Sequence, residues 1–394
     1  MSLTIDAFCD FCKNKLEKKY NPVNTKRGMQ VCVCTNCGLV QSVQSQEKPD
    51  KRIQTLSCNA DWGNVRHGKG LRLNHFKNAV KNCVNWKNVN HVLDVGSNRG
   101  SFVNWLLEEN NRLNVTAVEP DSEIIKDNYK HKNVNLIVDR FENISLEKDF
   151  YEFVYCSHTL EHSASALGML KQIRSYMKYG AYLFLEVPNL KNIEDSNIVE
   201  EFFMDKHTFH FDRETLYSFL KRMGFTLVYE NEKSDMYNIA FVLQKSDSKT
   251  TLPHENTQSN VKNNAKSIER YNQLLSDNRK LLQTLVEKKL KPLAKRQKVA
   301  YWGAGRIFDA LLKYGGLTVN NVYALVDKHL WDKVDNSQGT NIQRPEILRI
   351  LEPNVVVALA RSSEETIAKT AKRMGVRHVL RFNELMEQTR ILIN

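Results

Sequence analysis

Residues 91–119 read HVLDVGSNRGSFVNWLLEENNRLNVTAVE. An apolar run ends in the turn DVGSNRG at residues 94–100, helical spacing follows, and a second apolar run closes on Glu119. This order predicts strand, turn, helix and strand, the first unit of a parallel nucleotide-binding sheet. Gly96 and Gly100 let the backbone approach a ligand closely. Glu119 follows the turn by about 20 residues, where a carboxylate accepts hydrogen bonds from both ribose hydroxyls.

The glycine spacing in this turn is D-x-G-x-x-x-G rather than the dinucleotide pattern G-x-G-x-x-G. The segment closely resembles the loop of class I S-adenosylmethionine (SAM) methyltransferases. SAM has no pyrophosphate, so a wider loop around its methionine end is chemically reasonable. The resemblance implies that Asp94, Gly96, Asn98, Gly100 and Glu119 contact SAM. The alternative is a glycine turn in a sheet protein that binds no ligand.

Length and composition predict a multidomain globular protein. A chain of 394 residues exceeds one ordinary core, and two to three domains are expected. No apolar run approaches the ~20 residues of a membrane span, and MSLTIDAFCDFC lacks a secretory pattern, so we expect a cytoplasmic protein without membrane partners. The formal charge of +12 is compatible with nucleic acid or with an anionic small molecule such as a nucleotide diphosphate.

The cysteines concentrate at the N-terminus, where five of the eight lie within the first 37 residues. Cys9-x-x-Cys12 and Cys34-x-x-Cys37 are two pairs separated by 21 residues. Two such knuckles complete a tetrahedral thiolate site, which predicts structural Zn²⁺ with no open position for catalysis. Cys32 is the alternative ligand. The region acts either as a folding clip, which we favour, or as a nucleic-acid contact.

Polar residues follow two further strands of the predicted sheet. The strand at 134–138 ends at Asp139 and Phe141, which are candidates for hydrogen bonding and stacking with the adenine of SAM; a solvated aspartate is the alternative. The strand at 150–157 ends in SHTLEH, residues 157–162. Ligands sit outside the carboxyl ends of strands in such sheets, so this segment is the predicted floor of the substrate site. His158, Glu161 and His162 are therefore acid–base candidates, although His158 could merely close over SAM and Glu161 could cap a helix.

A fifth strand at 181–187 precedes an excursion rich in acids and aromatics. Within it, residues 202–211 read FFMDKHTFHF, a loop expected over the active site. His207 is the third candidate for a catalytic histidine, and the alternative is a packed or hydrogen-bonded loop histidine. Lys206 and His210 beside it are candidate substrate contacts. Two further runs, at 226–230 and 238–244, should form a hairpin at the sheet edge, which separates this sheet from the dehydrogenase type.

The last third of the chain predicts a second α/β unit. Residues 246–264 are polar and predict a linker, and a helix of about 20 residues follows, with a homodimer contact through it as an alternative. A strand then enters Gly303-Ala304-Gly305-Arg306, and a helix and another strand follow. Phe308 stands where the third glycine of a dinucleotide fingerprint would be. Gly303, Gly305 and Arg306 remain candidates for phosphate or sugar at the helix N-terminus.

Read together, the chain resembles the three-domain SAM-dependent sugar C-methyltransferase family. The similarity is carried by Cys9-x-x-Cys12, CTNCGLVQ at 34–41, the SAM loop, HTLEH at 158–162 and YWGAG at 301–305. It implies an α/β class I methyltransferase sheet with an N-terminal zinc-binding region and a C-terminal Rossmann-like domain. The corresponding domain prediction is a zinc-binding region at 1–62, a methyltransferase core at 63–247, a linker and connecting helix at 248–295, and a Rossmann-like domain at 296–394.

The resemblance implies a nucleotide-linked 4-keto deoxysugar as substrate, lying between the core and the C-terminal domain. It also implies methyl transfer to a carbon that has lost its α-proton, with His162 near the sugar. The chain departs from the family at the loop, where Lys206 replaces a glutamate and Met204 replaces a tyrosine. O-methylation of a sugar hydroxyl is therefore one alternative. A zinc-ribbon RNA methyltransferase is another, although we do not expect nucleic acid as the partner; a SAM-binding protein without catalysis is disfavoured by the histidines.

Overall fold

The computed structural model describes residues 7–23, 25, 28–44, 71–122, 131–231, 237–246, 257–332 and 336–393. The sequence also predicts a polar connector at 44–70, a helix at 121–129 and an ordinary small apolar role for Cys58, and these positions fall wholly or largely outside the described residues. The chain separates into two compact units. The first contains the described residues up to Ile193 and from Phe202 to Glu269, and the second contains Glu194–Glu201 and the residues from Arg270 onward.

Two sheets make up the first unit. Its described strands are β1 Leu16–Tyr20, β2 Met29–Cys34, β3 Val40–Gln44, β4 His91–Val95, β5 Asn114–Val118, β6 Val134–Ile137, β7 Tyr151–Ser157, β8 Met177–Pro188, β9 Phe209–His210, β10 Phe225–Glu230 and β11 Asn238–Lys245. Its described helices are α1 Leu71–Val80, α2 Ser101–Glu109, α3 Ala166–Tyr176 and α4 Arg213–Arg222. Short 3₁₀ turns cover Trp86–Asn88, Phe141–Asn143 and Leu160–His162.

The larger sheet has seven strands in the order β10-β11-β8-β7-β4-β5-β6. Strands β4 to β8 run parallel, and β10 and β11 are antiparallel additions, so the predicted hairpin is present. The central strands are buried on both faces because helices cover each side. On one face, Phe102 of α2 stacks on Tyr155 of β7 with ring centroids 4.0 Å apart. This sheet brings the carboxyl ends of β4, β5 and β7 to one edge.

The smaller sheet has four strands in the order β1-β2-β3-β9, all antiparallel. Its first three strands come from the cysteine-rich region. The fourth, β9, comes from the excursion after β8 and pairs with β3 through Val40 and His210. A sequence of two residues gives no periodic signal, so this pairing was not predicted.

Two boundaries differ from the sequence prediction. Helix α3 ends at Tyr176 and β8 begins at Met177, because Met177 already pairs with Tyr151 of β7 and a register shift follows. The polar stretch predicted as linker to residue 264 becomes helical at Thr257, where α5 (Thr257–Leu285) begins. Within this helix Asn264 is buried, and its Nδ2 donates to Gly38 O at 2.9 Å and to Asp212 Oδ2 at 2.7 Å.

The second unit is a smaller α/β domain. Its described strands are β12 Val299–Trp302, β13 Ala324–Val326, β14 Asn336–Ser337, β15 Thr340–Gln343, β16 Val355–Ala358 and β17 His378–Arg381, in the order β14-β15-β13-β12-β16-β17. A π-helical turn at Val286–Leu290 continues α5, and the helices α6 Lys291–Arg296, α7 Arg306–Lys313, α8 Leu348–Leu351, α9 Glu364–Arg373 and α10 Phe382–Ile393 follow. All pairs except β14–β15 are parallel, as a Rossmann-like domain requires. Phe308 is buried against Tyr301, which accounts for the missing third glycine.

Among the helices that the structure describes, none has both the length and the apolar character needed to cross a bilayer.

Candidate active site

The turn after β4 has a strained backbone that packs against the segment after β7. Gly96, Asn98 and Gly100 have φ angles of 77°, 49° and 70°, in the left-handed region that favours glycine and asparagine. Gly96 N donates to Val118 O at 2.9 Å, which ties the turn to β5. A Cβ on Gly96 would lie 2.1 Å from Thr159 Oγ1. The predicted SAM loop therefore directly contacts the segment that carries the predicted catalytic residues.

Replacing Gly96 with alanine is expected to reduce the free energy of unfolding by about 2–4 kcal/mol, since backbone strain and a steric clash add together. Gly180 provides a matched control. It also has a positive φ, of 74°, but the nearest atom to its Cβ position is 3.8 Å away. Urea unfolding should therefore show a loss of only about 1 kcal/mol for Gly180→Ala. Equal losses in the two variants would contradict a tight contact between Gly96 and Thr159.

Two buried carboxyl groups lie at the ends of β4 and β5. Glu119 Oε2 accepts from Asn98 N at 2.8 Å, and its Oε1 accepts from Asp121 N at 3.1 Å, so Glu119 holds the loop in place. Asp94 is fully buried, and neither of its oxygens has a hydrogen-bond partner among the described residues. Burial raises the pKa of Asp94, and the charge of Glu119 raises it further.

A buried carboxyl group without a donor is costly, so a ligand that donates a hydrogen bond or carries positive charge would stabilise Asp94. SAM meets this requirement through its ammonium and sulfonium groups. The residues of the loop therefore fit SAM, and each of the five predicted contacts lies on or beside the turn.

The two residues predicted to contact adenine lie after β6 and already have protein partners. Asp139 Oδ1 accepts from Arg140 N at 2.7 Å and from Asn143 Nδ2 at 2.8 Å, which stabilises the 3₁₀ turn that follows. Phe141 is buried and meets Tyr176 edge-on at 6.0 Å. Their contact with adenine stays a prediction.

His158, at the end of β7, lies between two buried carboxylates. Its φ of 51° is left-handed, and its backbone N–H donates to Glu186 O at 2.8 Å. Its ring Nδ1 lies 3.3 Å from Glu161 Oε1, and its Nε2 lies 3.9 Å from Glu186 Oε2. The imidazole is only 11% exposed, so its orientation is fixed by these two acids. Such a ring is positioned rather than free to reach a distant substrate.

His162 and His207 form the accessible part of the cluster. Their rings meet edge-to-face with centroids 4.8 Å apart, and His162 is 40% exposed. Nδ1 of His162 lies 2.9 Å from Lys206 O. A carbonyl oxygen only accepts, so this contact assigns the proton of the neutral ring to Nδ1 and leaves the lone pair on Nε2. Nε2 can therefore accept a proton from a substrate.

The loop that carries His207 is hydrogen-bonded to the segment after β7 that carries Glu161 and His162. Thr208 N donates to Glu161 O at 2.8 Å, and Glu161 is itself buried between the two histidines of the strand end. One ligand atom each from Glu161, His162 and His207 lies within 4.8 Å of the others, so these three side chains could also hold a divalent cation. The predicted catalytic residues are thus brought together, whereas Lys206 is exposed on the loop surface.

His210, predicted as a substrate contact, is instead buried in β9. Its Nε2 lies 2.8 Å from Ser42 Oγ of β3, and its ring meets Phe203 edge-on at 4.8 Å. Burial lowers the pKa of His210 to about 3, so the ring stays neutral across the physiological range. This placement suits a structural residue of the smaller sheet.

Because the buried ring of His210 stays neutral, we expect the free energy of unfolding to fall as the pH is lowered. Its pKa in the unfolded chain is about 6.5, so protons bind the unfolded state first and the contribution is lost as pH falls from about 6.5 toward about 3. Between about pH 8 and about pH 5.5 the wild-type protein should lose about 1.4 kcal/mol through this group. Urea unfolding of His210→Gln at both pH values is the control, because its other titrating groups are unchanged. Identical pH dependence in both proteins would contradict the assignment.

Sequence reasoning missed Glu186, which is completely buried within β8. Ser157 Oγ donates to Glu186 Oε2 at 2.5 Å, and His75 Nδ1 of α1 lies 4.0 Å from Oε1. Together with His158, these residues extend the titratable cluster beneath the histidine pair. The signal was an acid inside the apolar run AYLFLEV at 181–187, because charged residues are rarely buried without a partner.

The four predicted zinc ligands converge. Sγ of Cys9 lies 3.6 Å from that of Cys37, Sγ of Cys12 lies 3.3 Å from that of Cys34, and all four thiols lie within 4.8 Å of one another. Tetrahedral zinc with bonds of about 2.3 Å separates its sulfurs by about 3.8 Å, so this group fits the ion. Hydrogen bonds from Cys37 and Cys9 lower the pKa of Cys34. Cys32 is not a member of the group.

In the second unit, the turn predicted to bind phosphate or sugar contains Gly303, which has a φ of 118°. Ala304 N donates to Asp327 Oδ2 at 3.1 Å, which ties the turn to the end of β13. Gly305 is the N-cap of α7, and Arg306 is exposed at the first position of that helix. Binding of phosphate or sugar by Gly303, Gly305 and Arg306 stays a prediction.

Residues 68–230 match the family model described as a methyltransferase domain. The matched range contains the loop at 94–100, the histidine cluster and the excursion, and the seven-stranded sheet has the strand order and the antiparallel additions of the predicted fold. The class I methyltransferase fold is therefore confirmed, and residues 68–230 are similar to methyltransferase domains.

A curated relative is a tRNA U34 carboxymethyltransferase from Desulforapulum autotrophicum, 28% identical over 146 residues. The match covers 35% of this chain and 45% of the relative, so the chain spans less than half the length of that protein. Among solved structures, a SAM-dependent methyltransferase from Archaeoglobus fulgidus is 21% identical, with a TM-score of 0.34 over 46% of this chain and 94% of its own. A SAM-dependent methyltransferase from Aquifex aeolicus is 16% identical, with a TM-score of 0.33; the match covers 40% of this chain and 82% of that protein.

Proposed function

We propose that the protein transfers a methyl group from SAM to a nucleotide-linked sugar, at a carbon next to a ketone. The observation that carries this proposal is the histidine pair at the end of β7, in which the partly exposed His162 and His207 meet edge-to-face with ring centroids 4.8 Å apart. A base at this position would take the α-proton of a ketone, which leaves the adjacent carbon nucleophilic. SAM, when bound, supplies an electrophilic methyl carbon.

The chain's own residues divide the work of this reaction. Asp94 and Glu119 would hold the methyl donor through the loop that they border. Nε2 of His162 would take the α-proton, and His207, in edge-to-face contact, would pass that proton on to water, because the methylated ketone needs none back. The buried carboxylate of Glu161 lies 3.8 Å from Nε2 of His162 and would stabilise the ring once it carries a proton. The sugar is inferred from the family resemblance of the HTLEH and cysteine segments. We also propose a cytoplasmic location for this reaction.

Glu119→Ala is expected to weaken SAM binding by about 30-fold or more, because both ribose contacts and the anchor of Asn98 are lost. Isothermal titration with SAM measures the change in dissociation constant. The matched control is Glu109→Ala, which removes an exposed acid at the end of α2 in the same strand–helix–strand unit. Equal affinity in Glu119→Ala and wild type would remove Glu119 from the donor site.

The main experiment separates carbon from oxygen acceptors. The protein is incubated with a panel of nucleotide sugars in deuterated water, with and without SAM. Deuterium entering next to the ketone without SAM supports carbon chemistry, whereas methyl transfer without exchange supports O-methylation of a hydroxyl. Failure to transfer to any sugar in the panel would reject the sugar proposal.

A second candidate function is modification of RNA, which the tRNA relative favours. It predicts that affinity for RNA falls steeply with salt, since each neutralised phosphate releases counterions. Incubation of the same protein with labelled SAM and bulk tRNA tests it directly. Transfer to tRNA, together with no transfer to nucleotide sugars, would replace the first proposal.

A further inference from the structure

The sheet of the cysteine-rich region is completed by a strand from the active-site loop. Strand β9 directly follows His207 and Thr208, and it pairs with β3, which is continuous with the second cysteine knuckle. Ser42 N of β3 donates to Thr208 O at 2.8 Å. The residue next to a proposed catalytic histidine is therefore held by the backbone of the cysteine-rich sheet.

A buried side-chain contact reinforces this backbone pairing. Ser42 Oγ and His210 Nε2 are 2.8 Å apart in a region closed to solvent. Gln44, two residues further along β3, donates from Nε2 to Asp205 O at 3.3 Å. Because successive side chains of a strand point to opposite faces, Ser42 and Gln44 share one face of β3. That face contacts both ends of the segment around His207.

The first cysteine knuckle contacts the segment around the other histidine. Asp10 lies between Cys9 and Cys12, and its carboxylate accepts from Ser165 Oγ at 2.7 Å and from Leu167 N at 2.8 Å. Ser165 is the N-cap of α3, three residues after His162. An acid at this position stabilises a helix N-terminus. Asp10 N also donates to Gln41 Oε1 of β3 at 3.0 Å. This hydrogen bond links the first cysteine knuckle to the strand that pairs with β9.

We propose that the cysteine-rich module positions both histidines of the active site, with Asp10 and Ser42 as its positioning residues. Asp10 fixes the start of α3 behind His162, and Ser42 fixes β9 behind His207. The two histidines come from segments more than 40 residues apart, and the cysteine-rich module contacts residues close to each of them. The inference rests on the proposed function for its catalytic consequence. The structural part of the inference, that the module fixes the spacing of the two segments, is independent of the proposed function.

The test uses the full-length protein with its zinc content measured for each variant. Ser42→Ala and Asp10→Asn should retain zinc and bind SAM with wild-type affinity, while kcat falls about 10-fold. Hydrogen exchange of residues 205–211 should rise about 10-fold in Ser42→Ala, with the central strand β7 unchanged. Ser42→Thr keeps the hydroxyl and should restore both quantities. Should Ser42→Ala not fold, Gln44→Leu removes the longer contact to the same segment.

Thr35→Ala is the matched control, because it removes one side-chain hydrogen bond of the same module. Thr35 Oγ1 donates to Lys15 O at 3.1 Å, away from β9 and α3. Wild-type exchange at 205–211 in Ser42→Ala, or the same rise in Thr35→Ala, would overturn the proposal. If no substrate is methylated by the wild-type protein, the proposed function fails, and the exchange measurement still decides whether the module holds the loop.

Discussion

Alanine in place of His162 or His207 is expected to lower turnover by about 10²–10⁴-fold, with SAM affinity within about two-fold of wild type. The physical reason is the loss of the imidazole that takes or gives the proton. Gly96 of the predicted SAM loop packs against Thr159, which both variants retain, so donor binding should survive. Single-turnover rates with the acceptor that the nucleotide-sugar panel identifies, together with titration of SAM, measure the two quantities separately.

Replacing His162 with asparagine distinguishes a structural role of this residue from a role in proton transfer. His162→Asn retains a donor near Nδ1, so it can keep the contact to Lys206 O, but it has no base at the position of Nε2. Loss of rate in the asparagine variant therefore identifies a proton-transfer role, and wild-type rates would show that only the contact matters. His131→Ala is the control for histidine removal, because that residue is exposed ahead of β6.

The two histidines should also behave as a unit. Residues that share one function give non-additive effects, and these rings are in contact. The double variant is therefore expected to be little slower than the more impaired single variant. Full additivity of the two effects on the activation free energy would show that they act in separate steps.

The parts of the site that sequence reasoning located are those with a local pattern. The turn at 94–100 is recognisable from its glycine spacing between two apolar runs, and HTLEH directly follows a predicted strand. The fold itself was predictable for the same reason, because alternating strand and helix patterns leave few topologies with right-handed crossovers. The two C-x-x-C pairs likewise specify a four-thiol site, which the structure assembles.

The parts that were missed depend on contacts between distant residues. Pairing of β3 with β9 joins residues 40–42 to 208–210, and nothing in either segment specifies the other. His210 was assigned to substrate because a histidine among aromatics suits a binding loop, but the partner that buries it is Ser42. Glu186 joins the cluster only because β7 and β8 are adjacent, which places its carboxylate beside His158. Such relations follow from tertiary packing and leave no periodic signature.

Replacement of Cys37 by serine is expected to abolish zinc binding and to unfold the cysteine-rich sheet. Structural zinc contributes about 10–16 kcal/mol of apparent free energy in small metal-binding domains. Strands β1 to β3 span too few residues to bury a core of their own, so no other term of that size replaces it. Metal analysis should change from about one zinc per chain to about none. Hydrogen exchange in 29–44 should approach that of an unstructured chain, while β7 and β8 stay protected.

Cys32→Ser provides a closely matched control, since Cys32 is buried on β2 two residues before Cys34 and lies outside the four-thiol group. It should keep its zinc, and any loss of stability then measures burial of a hydroxyl rather than loss of the metal. The same metal analysis tests the cluster of Glu161, His162 and His207. A second equivalent of metal that persists in Cys37→Ser and disappears in His207→Ala would place a cation there, and the histidines would then act as ligands. A single equivalent that is lost with Cys37 keeps both histidines available for proton transfer.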